Sequence, residues 1–132
     1  MLKRNKRFLL MLLTFALPLG CVDCSDGGSA TYEQIDGAKA KALMDSESGY
    51  VIIDARTQSE YDEGHIPGAI LIPEYEIADR AENELPDKDQ LILVYCRSGR
   101  RSKIAAEELV KLGYTNVKEF GGIIDWEYEI VK

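Results

Sequence analysis

Leu91-Ile92-Leu93-Val94-Tyr95-Cys96-Arg97-Ser98-Gly99-Arg100-Arg101-Ser102 runs from an apolar stretch through a cysteine into a polar loop. Five apolar residues ahead of the cysteine have the length and composition of a buried strand, and Lys103 to Leu112 carry a strong helical pattern. The cysteine therefore stands between the C-terminal end of a strand and the N-terminal end of a helix. In open α/β sheets ligands bind at that place. Amide N–H groups of the loop and of the first helical turn can converge on the sulfur there, and the helix dipole favours thiolate over thiol. Arg97, Arg100 and Arg101 add positive charge. The bland alternative is a buried structural cysteine with three solvated arginines.

Working outward, the same alternation recurs. A short strand is expected over Thr31–Ile35, and Asp36 caps a helix from Gly37 to Met44. Tyr50–Asp54 is near-continuously apolar, as parallel strands are. Thr57 or Ser59 starts a short helix that ends at Gly64. Ala69–Ile72 is a third strand stopped by Pro73, and Glu74–Leu85 a helix with Ile77, Ala81 and Leu85 on one side. Pro86–Asp89 is a turn. Gly113 caps the helix that follows the cysteine loop. Val117–Phe120 is the last strand and Ile123–Glu127 a terminal helical turn. Strands alternating with helices predict a single α/β domain, a small parallel sheet of about five strands flanked by helices. No internal repeat is present.

The cysteine loop resembles the active-site loop of the rhodanese (sulfurtransferase) family. Two further segments resemble that family in order and spacing. One is Asp54-Ala55-Arg56 with Glu60-Tyr61, Gly64-His65-Ile66-Pro67-Gly68-Ala69 and Ile72-Pro73; the other is Gly121-Gly122-Ile123-Ile124-Asp125-Trp126. The resemblance implies a rhodanese-like fold and an enzyme that takes a sulfane sulfur onto Cys96 as a persulfide and passes it to a thiophilic acceptor. It implies no cofactor and no metal. Arg97, Ser98, Gly99, Arg100, Arg101 and Ser102 are then the substrate-binding loop, with Arg97 and Arg101 ahead of Arg100 as anion ligands. Ser102 is equally suited to cap the helix.

Asp54 ends a strand, so its side chain could reach the site. The resemblance implies instead that Asp54 and Arg56 form a buried or semi-buried polar link holding neighbouring loops, and that His65, the sole histidine, packs its turn rather than acting as a base. Trp126 is expected in the core or a pocket wall. Glu60 departs from two-domain rhodaneses that use thiosulfate, which carry a basic substrate-binding residue near that place. An acid there puts efficient thiosulfate turnover in doubt.

Two other readings compete. One is a persulfide carrier or partner-binding module that does not turn over small donors. The other is a phosphatase or arsenate reductase, whose loops resemble this one but place an arginine six residues after the cysteine. Here that position is Ser102, and Arg101 comes one residue early, leaving the loop a residue short for a tetrahedral oxyanion.

Composition narrows the partners. Net charge is −7; residues 1–20 hold Lys3, Arg4, Lys6 and Arg7 and no acid, so the remainder has 12 basic against 23 acidic residues, or −11. That surface argues against nucleic acid or an anionic membrane. The expected partners are a small sulfur-containing anion, a thiol or cyanide acceptor, and a redox or sulfur-carrier protein.

Residues 1–20 read as a signal peptide: a basic start, then the apolar Phe8–Leu19, too short to span a bilayer comfortably. Gly20-Cys21 resembles a bacterial lipoprotein site with Cys21 lipidated, although Pro18 stands where such signals usually carry Leu. A cleaved secreted protein and an uncleaved anchor are the alternatives. Each places the domain outside the cytoplasm, in the periplasm or cell envelope or as a secreted soluble protein, with any membrane contact made through the N-terminus. Residues 21–31 form a flexible tether containing Cys24, and 32–132 the domain.

Overall fold

Side chains along a strand alternate between the two faces of a sheet, and that alternation organises the domain. The computed structural model describes residues 31–132; the expected signal peptide, Cys21, Cys24 and most of the tether lie outside the described residues. Five strands, β1 (Glu33–Gln34), β2 (Val51–Asp54), β3 (Ile70–Leu71), β4 (Ile92–Cys96) and β5 (Val117–Gly122), form one sheet in the order β1-β5-β4-β2-β3. Every pairing is parallel. Four helices cover it: α1 (Gly37–Ser46), α2 (Gln58–Glu63), α3 (Ile77–Glu84) and α4 (Arg100–Lys111).

β4 lies in the middle of the sheet and all five of its residues are buried. Ile92, Val94 and Cys96 join Ile53, Ala105, Ala106 and Leu109 on the face covered by α3 and α4. Leu93 and Tyr95 join Ala40, Ile52, Ile66 and Phe120 on the opposite face. Each fully buried aliphatic side chain contributes about 1.5–3 kcal/mol, so this strand anchors both cores. The same alternation aims Cys96 at α4 and Tyr95 away from it.

Several element boundaries differ from the sequence reading, and four of the differences have a local cause. α4 starts at Arg100 rather than Lys103, because Gly99 takes a left-handed conformation (φ 106°) as its N-cap and the chain turns at once. Ser102 thus lies within the first turn. Glu74–Glu76 form a 3-10 turn ahead of α3 instead of its first turn, where Pro73 supplies no N–H. β5 extends through Gly122, with an irregularity opposite Val94–Cys96. β3 keeps only two paired residues, since it is the sheet edge.

Candidate functional site

The strand β4 delivers Cys96 to the sheet's C-terminal edge, where the three residues Arg97–Ser98–Gly99 reach α4. Cys96 is 1 % exposed. The Gly99 N–H donates to its Sγ at 3.0 Å, and Ser102 Oγ lies 3.3 Å from the same sulfur. Burial pushes the Cys96 thiol up. Hydrogen bonds from the Ser102 hydroxyl and amide and from the Gly99 and Ser98 amides outweigh it, so the thiol lies below its ordinary value. The amide and hydroxyl donors around the sulfur thus favour a thiolate.

The three arginines occupy different surroundings. Arg97 and Arg100 are exposed, and their side chains make no hydrogen bond or ion pair among the described residues. Arg101 instead grips Glu60 with two bonds of 2.8 Å. Glu60 also accepts from the Thr57 N–H at 3.0 Å, completing a capping box at the start of α2. One carboxylate therefore ties α2 to the first turn of α4. The Arg101 guanidinium, and then the Thr57 amide and hydroxyl, hold the Glu60 carboxyl down from 4.5 to about 2 despite its partial burial.

That shift fixes a pH dependence. A carboxyl depressed in the folded state contributes stability that is fully present above its unfolded value and is lost as pH falls through its folded one. Between about pH 4.5 and about pH 2 the wild type should lose stability more steeply than Glu60→Gln, measured by urea unfolding along a pH series. Parallel curves would show that Glu60 carries no such linkage.

Asp54 and Arg56 form a second polar centre, on the side of Tyr95. Arg56 Nη2 donates to Asp54 Oδ2 at 2.7 Å and to the Gly64 carbonyl at 2.7 Å, while its Nε bonds Asp54 Oδ1 at 2.9 Å. The Tyr95 hydroxyl donates to Asp54 Oδ2 at 2.7 Å and accepts from the Ile66 N–H at 3.1 Å. Burial, then the Asp54 carboxylate, push the Tyr95 phenol up, which keeps it a donor. The cluster ties the end of β2, the Gly64–Ile66 turn and the residue before Cys96 into one buried unit. His65 is turned to other contacts. Its ring stacks on Tyr61 (centroids 3.7 Å, 6° between planes) and its Nδ1 bonds the Tyr61 carbonyl at 2.9 Å. Trp126 lies half-buried beside Phe120 and Tyr128.

Two participants were not legible as such in the sequence. Tyr95 read as the end of an apolar strand, yet its hydroxyl joins the Asp54 cluster. Glu119, 3 % exposed, accepts from Ser102 Oγ at 2.6 Å and from the Gly121 N–H at 2.7 Å directly behind the cysteine loop. Its register with Val94 puts it on the α4 face, and that register is set by the fold rather than by any signal in the local sequence.

The pattern that defines the rhodanese-like domain matches residues 36–129. The thiosulfate sulfurtransferase PspE of Escherichia coli (strain K12) is 42% identical over 73 residues, 55% of this chain and 70% of that protein. A sulfurtransferase of Allochromatium vinosum is 36% identical over 94 residues, 70% of this chain and 86% of that one. Among solved structures, a rhodanese with anions from E. coli superposes with a TM-score of 0.60 at 40% identity, covering 63% of this chain and 98% of that chain.

Proposed function

The chain belongs to the rhodanese-like domain family, and from that premise we propose that it is an exported sulfurtransferase working through a persulfide on Cys96. The observation that carries this reading is the sulfur itself, held at the end of β4 with the Gly99 amide 3.0 Å away and a thiol below its ordinary value. A thiolate attacks the sulfane sulfur of thiosulfate, polysulfide or a persulfide. One S–S bond forms at Cys96, the donor's S–S bond breaks, and sulfite or a shortened thiolate leaves with the electron pair. Cyanide, a thiol or a carrier protein's thiolate then takes the outer sulfur and returns the Cys96 thiolate. Loop amides that hold an anionic outer sulfur favour the loaded state.

Arg97 and Arg100 are the cations available to an anionic donor, because Arg101 is engaged by Glu60. Intact mass after incubation with thiosulfate or polysulfide tests the proposal. One added sulfur, about 32 Da, is expected, and it should disappear on adding cyanide. A protein that gains no mass from either donor would overturn it; one that gains the sulfur but does not release it would be a carrier.

Export rests on residues 1–21: the basic start, the apolar core and Gly20-Cys21. Two or more acyl chains on Cys21 would anchor the acidic domain durably where one would not. In a bacterium expressing the full chain, membrane association should be lost in Cys21→Ala. A wild type that fractionates as soluble, with its N-terminus elsewhere, would defeat lipidation.

A further inference from the structure

Ser102 has one hydroxyl proton and four acceptors within reach. Its Oγ lies 2.6 Å from Glu119 Oε1, 3.0 Å from the Gly99 carbonyl, 3.3 Å from Cys96 Sγ and 3.4 Å from the Gly121 carbonyl. The two carbonyls carry no proton to exchange. Glu119 and Cys96 are the acceptors that can also hold one, and both are buried, at 3 % and 1 % exposure. Among the described residues no Lys, Arg or His side chain pairs with Glu119, which is costly for a buried carboxylate. A Glu119 anion and a Cys96 thiolate present together would place two buried negative charges on either side of one hydroxyl.

We propose that Glu119 is a positioning residue for the sulfur chemistry, sharing a single proton with Cys96 through the Ser102 hydroxyl. When Glu119 is the anion, Ser102 donates to Oε1 and the Cys96 S–H donates to Ser102 Oγ. When the proton moves, the S–H bond breaks, the Ser102 proton passes to the Glu119 carboxyl, and Ser102 takes the proton from sulfur and turns to donate to the thiolate. One S–H bond is exchanged for one carboxyl O–H bond and no electrons change hands. The stabilisation of the thiolate by the Ser102 hydroxyl therefore operates only while Glu119 does not claim that hydroxyl. A thiolate displaced when the acceptor takes sulfur regains its donor in the same way.

Other charged groups packed around β5 are already engaged or lie apart from this contact. On β4, the Tyr95 hydroxyl is bound to Asp54. On β1, Glu33 pairs with Lys39 of α1 and Lys118 of β5, and on α1 Lys41 pairs with Asp45, while the Asp36 cap binds the Lys39 amide. On α4, Arg101 is held by Glu60, Lys111 pairs with Glu108, and Arg100, Lys103 and Glu107 are exposed. His65 is bonded to the Tyr61 carbonyl.

The proposal rests on Cys96 as the nucleophile, so its test reads Cys96 titration rather than turnover. The rate of alkylation by a neutral reagent is followed against pH in the wild type and Glu119→Gln, whose amide oxygen still accepts from the Gly121 N–H. Two coupled groups titrate in two macroscopic steps. The wild-type rate should rise in two steps, and the variant's in one, with its midpoint about one pH unit below the wild type's upper step. Superimposable profiles would overturn the proposal. If Glu119→Gln does not fold, infrared difference spectra of the wild type on alkylating Cys96 give the answer: a protonated-carboxyl stretch should be lost, and its absence at every pH would overturn the proposal equally.

Discussion

Cys96→Ser should carry no added sulfur after exposure to thiosulfate or polysulfide, and its sulfurtransferase activity should fall to background. A hydroxyl cannot form the S–S bond on which the cycle depends, and it gains nothing comparable from amides that stabilise a thiolate. The substitution is close to isosteric at a site 1 % exposed, and the Gly99 N–H can donate to oxygen as it does to sulfur. The fold should persist, with a melting temperature near the wild type's. Cys96 is the one free cysteine among the described residues; Cys24→Ser should load sulfur as the wild type does. Intact mass and thiosulfate:cyanide assay check both variants. Undiminished activity in Cys96→Ser would remove the mechanism altogether.

The fold was largely written in hydrophobic pattern. Ile92–Cys96 is buried on both faces and reads as a parallel strand without ambiguity, and the same holds for Val51–Asp54. The departures came where short-range geometry overrides pattern. Nothing in the polarity of Arg100, Arg101 and Ser102 distinguishes a loop from a first helical turn; the left-handed Gly99 decides it by turning the chain one residue after Ser98. Gly121 and Gly122 look like loop residues, yet they continue β5, because the strand must pass against the cysteine loop.

The candidate site was legible where chemistry lies on neighbouring residues. Cys96, Gly99 and Ser102 sit within seven consecutive positions, and the structure brings all three around one sulfur. Long-range partners were not legible. The Glu60–Arg101 pair joins residues 41 positions apart, and Tyr95 reaches Asp54 across the same separation. Glu119 was hidden for another reason. In Val117-Lys118-Glu119-Phe120 both alternating sets contain one apolar and one charged residue, so period-two patterning does not say which face is inward. The answer came from Ser102, whose hydroxyl gives the buried carboxylate a partner.

Gly122→Ala should cost about 3 kcal/mol or more and disable the site. A Cβ built on Gly122 falls 2.0 Å from the Arg97 carbonyl oxygen, 2.5 Å from its carbon and 2.6 Å from the Ser98 Cα. All three atoms are backbone, so no side chain can swing away. Neither can the loop retreat freely. The Ile124 N–H bonds the Arg97 carbonyl at 3.3 Å, the Gly99 N–H holds the sulfur at 3.0 Å, and Cys96 is in register with Gly122 itself. Gly122 has an ordinary extended backbone, φ −125° and ψ 152°, so the whole penalty is steric and none is left-handed strain. Gly37→Ala is the control. It meets Trp126 at 3.4 Å, an ordinary contact, in the first position of α1, where alanine's better helix propensity limits the change to about 1 kcal/mol in either direction. Urea unfolding ranks the two, and sulfur loading at a temperature where both are folded separates lost stability from a displaced loop. If Gly122→Ala matched the control in both measurements, the close approach of β5 to the cysteine loop would be wrong, and with it the reason a glycine pair closes this strand.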